Sequence, residues 1–188
     1  MSTKTALLTA AETACRARGY DGFSYADLAK EVGIRKPSIH HHFPTKADLI
    51  EALLQYYSEK IFAQLNAITE RDEVASAQLD QYLTLYRESL AQGTQLCLCV
   101  ALSLSHDRLS PTALDALNGF HARSVKWLTG VFQKAEDDGS IAELDRPQVE
   151  AIAALAQVEG AQILSRAAGD VTPFDVSIRR LSKRLLLT

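Results

Sequence analysis

Three cations occupy the starts of two short predicted helices. Arg35 and Lys36 come just before Pro37, a residue type favoured in the first turn of a helix. Lys46 follows Thr45, a residue type that commonly caps a helix. Because the N-terminus of a helix is its positive pole, each cation there costs a few tenths to about 1 kcal/mol. A bound anion at each helix start would offset that cost, and the phosphates of duplex DNA have a suitable spacing.

A run of three histidines, His40, His41 and His42, lies between these two helix starts. Histidines bind metal ions only when their rings converge on one point. Successive residues of a helix point about 100° apart, so three neighbours cannot converge. We therefore expect no metal site and interpret His41 and His42 as surface or packing residues.

Two short helices joined by Gly33 and Ile34 must position these side chains. Ser24 with Asp27 three residues later is typical of a helix start. The second short helix takes Pro37 in its first turn and ends near Phe43. A small shared core is predicted from Leu28, Ala29, Val32, Ile34, Ile39 and Phe43. This order is that of a helix-turn-helix, whose second helix enters the DNA major groove, although helical hairpins with other roles are common.

Charge is divided unevenly along the chain. The net charge of −3 argues against a nucleic-acid partner. Residues 1–46, however, contain seven Lys or Arg residues and four acidic ones, a net charge of +3, whereas residues 47–188 carry −6. A basic N-terminal part on an acidic remainder indicates two tasks on one chain, although chance clustering would also produce this difference.

The composition is that of a globular protein, with 47% hydrophobic and 23% charged residues among 188. The longest apolar run covers residues 96–102, well short of the roughly 18 residues of a membrane span. Leu7 and Leu8 are soon followed by Glu12, which argues against a signal peptide. Three cysteines do not form a disulfide framework. We therefore expect a cytoplasmic protein.

Helical periodicity dominates the chain and strict alternation is absent, so we predict an all-α fold. The first helix ends at Gly19, and a longer helix that runs through Leu49 and Leu53 follows the two short ones. Further helices are predicted over residues 75–92, 96–104, from Pro111 to before Gly139, 145–168 and from Thr172 onward.

The stretch from Tyr25 to Leu49, YADLAKEVGIRKPSIHHHFPTKADL, resembles the DNA-binding signature of TetR-type transcriptional repressors, and residues 19–23 resemble its usual lead-in. The resemblance covers roughly residues 4–57; the remainder is similar only in helical layout and length. It implies an N-terminal three-helix helix-turn-helix DNA-binding domain, residues 1–46, and a larger helical ligand-binding and dimerisation domain, residues 47–188. It also implies a homodimeric repressor that binds a palindromic double-stranded DNA operator and is released by a small-molecule effector.

The resemblance also assigns candidate DNA contacts. They are Ser24, Arg35, Lys36, Pro37, Ser38, His40 and Lys46. Ser24 and Lys46 stand where the family contacts phosphate, and His40 stands where it usually has a tyrosine that touches the DNA backbone. Two departures matter: Arg35 replaces the usual Ser or Thr cap and adds a donor suited to guanine, and the contact of His40 would strengthen on protonation.

Apolar stripes on the last two predicted helices suggest a dimer surface. One consists of Phe174, Ile178, Leu181 and Leu185, and the other includes Ile152, Ala156, Gly160 and Ile163. Two such helices from each subunit would form a four-helix interface. Burial within one subunit is the alternative, but basic residues beside the final stripe show that its helix has a solvent face.

Aromatic and polar residues of the middle helices are candidates for binding the effector. They are Tyr82, Tyr86, Cys97, Leu102, Phe120, His121, Trp127 and Gln162. Aromatic walls with a few polar tips suit a small, mostly apolar molecule. Each of these residues also fits an ordinary core, so the pattern leaves both interpretations open.

Two alternative functions share this helical architecture. Cys97 and Cys99 suggest a redox or electrophile sensor, although residues two apart on a helix point about 200° apart and cannot readily bridge. A protein-binding adaptor is the second alternative, and the basic helix starts argue against it. We find no glycine-rich phosphate loop, metal-spaced cluster or nucleophile elbow, so we expect neither an enzyme nor a cofactor.

Overall fold

The computed structural model describes residues 2–71 and 74–186. They form two compact units. The first unit contains the residues up to Lys60 together with Leu98–Phe120, and the second contains Ile61–Cys97 together with the residues from His121 onward. The functional division expected between residues 46 and 47 stays a prediction.

The all-α fold is confirmed. Helices account for the regular structure: α1 (Thr3–Arg18), α2 (Tyr25–Val32), α3 (Lys36–His42), α4 (Lys46–Arg71), α5 (Ala75–Ser89), α6 (Leu98–Ser103), α7 (Pro111–Asp138), α8 (Pro147–Ala168) and α9 (Thr172–Ser182). Among the described residues, β pairing is limited to one isolated bridge between Ile141 and Leu185. Within the same ranges, none of the helices combines the length and the apolar character needed to cross a membrane.

Local capping signals correctly located several helix starts. At α2, the Ser24 hydroxyl accepts from the Asp27 N–H at 3.3 Å, and the Asp27 carboxylate accepts from the Ser24 N–H at 2.8 Å. The N–H of Thr45 donates to Asp48 in the same way at 2.8 Å, just before α4. Ser110 caps α7 by accepting from the N–H of Ala113 at 3.1 Å. Each cap satisfies backbone donors that the first helical turn leaves without partners.

A buried carboxylate joins two helices of the first unit. Glu12 of α1 is only 5% exposed. The Lys60 ammonium of α4 donates to both of its oxygens at 2.8 and 3.0 Å, and Arg16 donates to one of them at 3.3 Å. Because a buried charge without a partner is costly, this pairing fixes α1 against α4.

Two bidentate ion pairs brace the second unit. Arg87 of α5 donates to both carboxylate oxygens of Asp175 on α9, at 2.6 and 2.9 Å. Arg184, just after α9, donates to both oxygens of Glu150 on α8, at 2.9 and 2.8 Å. Bidentate pairs favour one orientation as well as one distance. The first pair therefore orients α5 against α9, and the second orients the chain after α9 against α8.

The end of α5 differs from the prediction. We expected a helix to Gln92, but α5 ends at Ser89 because Ala91, Gln92 and Gly93 adopt positive φ angles of 45°, 59° and 83°. A Cβ on Gly93 would clash with the backbone nitrogen of Asp170 and would lie 2.7 Å from the carbonyl carbon of Gly169. Glycine is therefore required at residue 93 for both its conformation and its closeness to the segment after α8.

We predict that Gly93→Ala lowers the free energy of unfolding by more than about 2 kcal/mol, because the new methyl group meets rigid backbone. Gly139→Ala is the matched control, since its φ is also positive, at 65°, and its Cβ would have open space within 4 Å. It should lose only about 1 kcal/mol, the cost of the left-handed conformation. Urea unfolding measures both, and equal losses would contradict the close-approach argument.

Candidate functional site

A tight turn sets the direction of α3 relative to α2. Gly33 adopts a left-handed conformation with φ 73° and ψ 32°, and its N–H donates to the carbonyl of Ala29. The N–H of Ile34 donates to the same carbonyl at 3.0 Å. This arrangement ends α2 and starts a helix-turn-helix, as the glycine-containing spacing predicts.

The two faces of α3 differ as the sequence predicts. Ile39 and Phe43 are 0% and 2% exposed, so they anchor the inner face and the end of the helix. Arg35, Lys36 and Pro37 are exposed at its start. The outer side of α3 therefore presents two cations on a backbone that is held from behind.

Tyr25 holds the far end of α3. Its buried hydroxyl lies 2.9 Å from the carbonyl oxygen of Phe43 and 2.5 Å from that of Thr45. These carbonyls lie in the segment between α3 and α4, and burial raises the pKa of Tyr25 to about 12. A neutral hydroxyl at this position keeps its proton and so continues to donate.

His40 packs beside this anchor. Its ring lies 4.9 Å from the ring of Tyr25, centroid to centroid, and its Nδ1 lies 3.1 Å from the carbonyl oxygen of Pro44. A carbonyl only accepts, so Nδ1 carries the proton and Nε2 of the neutral ring is an acceptor. A contact from His40 to phosphate therefore requires the protonated ring.

Ser24 and Ser38 differ in how far their polar groups are already used. The Ser24 hydroxyl donates to Asp27 at 2.7 Å, and this hydrogen bond contributes to the lowered pKa of that carboxyl group. Ser38 is half-buried on α3. Because the Ser24 hydroxyl already donates to Asp27, it would have to give up this hydrogen bond in order to donate to a phosphate.

The Lys46 ammonium turns back onto the lead-in segment before α2. It donates to the carbonyl oxygen of Phe23 at 2.6 Å and lies 4.2 and 4.9 Å from the ring centroids of Phe23 and Tyr20. Partial burial lowers its pKa. Lys46 is neither fully buried nor fully extended, so its cation stabilises the segment that starts α2 while keeping donor capacity.

The helix-turn-helix region is similar to that of a known protein family. Residues 7–53 match the model described as "Bacterial regulatory proteins, tetR family". A TetR-family transcriptional regulator from Agrobacterium tumefaciens is 30% identical, with a TM-score of 0.91 over 97% of this chain and 96% of that chain. This chain belongs to the TetR family of transcriptional regulators.

Other relatives of this TetR-family chain are more distant. A TetR regulator from Legionella pneumophila shares its fold, with 24% identity, a TM-score of 0.88 and 98% of each chain covered. The nucleoid occlusion factor SlmA of Marinomonas sp. (strain MWYL1) is 28% identical over 111 residues, 59% of this chain and 50% of that protein. The HTH-type transcriptional regulator CymR of Pseudomonas putida is 34% identical over 84 residues, 43% of this chain and 41% of that protein. The chain thus spans about half the length of the curated relatives it matches.

The second unit contains most of the candidate effector-binding residues of this TetR-family chain. Six lie there: Tyr82, Tyr86, Cys97, His121, Trp127 and Gln162. Leu102 and Phe120 belong to the first unit, where both are buried and the ring of Phe120 lies 6.0 Å from that of Tyr57. The roles of all eight residues in effector binding stay predictions.

Five of the six residues in the second unit contact another of the six. The ring of Tyr82 stacks on Trp127 with centroids 5.6 Å apart, and it lies 4.8 Å from the ring of Tyr86. The backbone N–H of Cys97 donates to Gln162 Oε1 at 2.8 Å. The carboxylate of Glu159 lies 3.1 Å from His121, the sixth residue. Burial and, after it, this carboxylate raise the pKa of Tyr82.

Sequence reasoning missed Tyr25 and Glu159. Tyr25 lay within the TetR-type signature, but periodicity alone did not distinguish its hydroxyl from an ordinary core contact. Glu159 precedes Gln162 by three residues on α8, and that spacing places both on one helical face. The signal in the sequence that could have identified Glu159 was its position one helical turn before the candidate Gln162.

The final predicted dimer stripe is buried within the single chain. Phe174, Ile178, Leu181 and Leu185 are 0–8% exposed within the single chain, so they form core and not a free surface. The solvent face of their helix is the basic one, and the apolar side is covered by this chain itself, in particular by α8. This burial favours the alternative that we considered, burial within one subunit, and a contribution of the stripe to a dimer stays a prediction.

The α8 stripe is different because much of it faces solvent. Ile152 and Ile163 are 53% and 41% exposed, and the neighbouring Leu164 is 56% exposed. Ala156 is exposed and Gly160 is half-buried. We call this α8 surface, residues 149, 152, 153, 156, 160, 163 and 164, the α8 stripe.

The cysteines are buried. Burial raises the pKa of the Cys15 thiol to about 12, and Cys97 and Cys99 are 1% and 0% exposed. A reactive cysteine needs access and thiolate character, so burial of this degree favours structural roles.

We predict that Tyr25→Phe lowers the free energy of unfolding by about 1–3 kcal/mol, because two carbonyls near the end of α3 lose their buried donor. Tyr56→Phe is the control: it removes a half-buried hydroxyl on α4, and the described residues give that hydroxyl no hydrogen bond. Its effect should stay within about 0.5 kcal/mol. Thermal unfolding of both variants tests the prediction, and an unaltered Tyr25→Phe protein would contradict it.

Proposed function

We propose that the protein is a ligand-responsive transcriptional repressor that binds a palindromic DNA operator as a homodimer and is released by a small molecule. Its main support is the start of α3, where Arg35 and Lys36 are exposed while Ile39 is fully buried on the inner face. A helix that is anchored by a buried face and carries cations on its exposed face is suited to the major groove.

Base reading is assigned to the start of α3. Arg35 supplies a planar group of five donors, which matches the two acceptors of guanine in the major groove. Lys36, Pro37 and Ser38 lie next to it on the same helix. Ser24, His40 and Lys46 are assigned to the DNA backbone. His40 lies on α3 and Ser24 and Lys46 lie on either side of it, and a hydroxyl, a protonated imidazole and an ammonium can each donate to phosphate.

Dimerisation is assigned to the α8 stripe. Several large apolar side chains there face solvent, and a soluble monomer seldom exposes a contiguous apolar surface of this kind. A second copy would cover it with an identical surface, and the small Ala156 and Gly160 would let two helices approach closely. Two recognition helices also need to reach half-sites about one DNA turn apart, which requires a dimer.

The effector acts by shifting the dimer between two states. Residues 1–46 bind DNA, and residues 47–188 hold the effector and the dimer surface. One state matches the half-site spacing and the other does not. The effector favours the second state, and its difference in affinity for the two states sets the extent of release.

We predict that Arg35→Ala and Lys36→Ala each weaken binding to duplex DNA from upstream of the protein's own gene and relax its sequence preference by about 1–3 kcal/mol. Lys46→Ala should weaken binding to all sequences alike, because it removes a phosphate contact. The slope of the logarithm of the binding constant against the logarithm of the salt concentration should become shallower by about 1. Fluorescence anisotropy at two salt concentrations measures both effects.

Lys126→Ala is the charge-matched control, because Lys126 is an exposed lysine on α7 in the second unit. It should bind the operator like the wild type. If Arg35→Ala and Lys36→Ala also bound like the wild type, with unfolding temperatures unchanged, the assignment of α3 as the reading helix would be wrong.

We also predict that Ile152→Glu converts the dimer to a monomer without unfolding it, because the residue is 53% exposed in the single chain and two carboxylates would be buried at the interface. Leu104→Glu is the control, since Leu104 is 70% exposed and lies outside the α8 stripe. Sedimentation equilibrium gives the mass of each variant. A dimeric Ile152→Glu protein would exclude the α8 stripe as the interface.

A further inference from the structure

Two buried donors in the second unit have no hydrogen-bond acceptor among the described residues. They are the hydroxyl of Tyr82 and the side-chain amide nitrogen of Gln162. Both residues are 0% exposed. A buried donor without a partner is costly, so such groups are rare in folded proteins, and an acceptor from outside the chain is one explanation for them.

These two donors belong to one connected group of side chains. The Oε1 atom of Gln162 is already held by the N–H of Cys97 at 2.8 Å, which fixes the amide so that its Nε2 atom is the remaining donor. Tyr82 lies on α5 and Gln162 on α8, and these two helices contact each other. Burial and, after it, the carboxylate of Glu159, three residues before Gln162 on α8, raise the pKa of the Tyr82 hydroxyl. The fixed amide and the phenol therefore belong to neighbouring helices of the second unit.

The surroundings of the two donors are aromatic on one side and reach solvent on another. Tyr82 stacks on Trp127, with ring planes 23° apart, and also contacts Tyr86. Trp127 is partly exposed, and the side chains of His121 and Glu159 are each 27% exposed. Aromatic side chains of this kind can pack against a flat ring, and the partly exposed groups beside them are where a compound would enter.

The charges near Tyr82 favour a neutral compound. His121 and Glu159 are paired at 3.1 Å, and this hydrogen bond raises the pKa of His121, so a positive charge on the imidazole would be balanced by the carboxylate. Burial and, after it, the same carboxylate raise the pKa of the Tyr82 hydroxyl and so disfavour its negative form. A second anion would be repelled there, whereas a neutral carbonyl oxygen would accept hydrogen bonds without adding charge.

We infer that Tyr82 and Gln162 bind a small neutral aromatic compound through an oxygen of carbonyl type, which accepts hydrogen bonds from the Tyr82 hydroxyl and the Gln162 amide. The ring of the compound packs against the aromatic side chains, and its polar end lies at the two donors. That this compound is the effector rests on the proposed function; binding itself does not.

The test uses three probes of similar size: acetophenone, ethylbenzene and benzoate. Acetophenone has the neutral acceptor, ethylbenzene has none, and benzoate is charged. Trp127 is the single tryptophan of the chain, so its fluorescence reports on the site, and calorimetry provides an independent measure. We expect acetophenone to bind saturably and at least about tenfold more tightly than either of the other two.

Tyr82→Phe removes only the hydroxyl and should weaken acetophenone binding about tenfold. The ligand-free variant should unfold at the same temperature as the wild type or higher, because the lost donor had no partner. Tyr25→Phe is the matched control: its hydroxyl has two carbonyl partners in the first unit, so this variant should lose stability and keep its acetophenone affinity.

Three results would overturn the inference. The first is equal binding of ethylbenzene and acetophenone, or no saturable binding of acetophenone. The second is an unchanged affinity in Tyr82→Phe. The third is a ligand-free Tyr82→Phe protein as destabilised as Tyr25→Phe, which would show that a structural partner such as a buried water satisfies the hydroxyl.

Operator binding is measured separately with the same proteins. If acetophenone binds as expected but leaves operator affinity unchanged, the site is supported and the proposed release mechanism fails. If the wild-type protein binds no operator at all, the repressor proposal fails, while the probe affinities still decide the inference about Tyr82 and Gln162.

Discussion

The hydrogen bonds from the Tyr25 hydroxyl to the carbonyls of Phe43 and Thr45 are the constraint on which the candidate DNA-binding surface depends. Helix α3 has seven residues, far fewer than the roughly 12–15 that an isolated helix needs to be even marginally stable. Its shape must therefore be imposed by its neighbours. Tyr25 fixes one end, the Gly33 turn fixes the other, and Ile39 fixes the inner face.

Much of the fold was predictable because its signals are local. Ser24 with Asp27, Thr45 with Asp48, and Ser110 each mark a helix start through hydrogen bonds to residues at most three positions away. The end of α5 was not predictable in this way. It depends on the close approach of Gly93 to Asp170, residues far apart in sequence, which periodicity does not record.

The sequence predicted which residue types form the candidate sites, but it predicted less well where their side chains point. The exposed cations of α3 followed from sequence, whereas the return of Lys46 onto Phe23 did not, because a lysine side chain is long enough to turn either way. The same limit applies to α9. Its apolar spacing indicated a buried face, but only the fold shows that the covering partner is the same chain.

The support for α3 comes almost entirely from side chains that do not face outward. Arg35, Lys36 and Pro37 contribute little to the core, while Tyr25 and Ile39 hold the backbone in place. Shape and chemical identity are therefore carried by separate sets of residues. Substitutions on the outer set should leave folding nearly untouched. Under the proposed function, a lineage could therefore acquire a new target sequence through a few changes without passing through unstable intermediates.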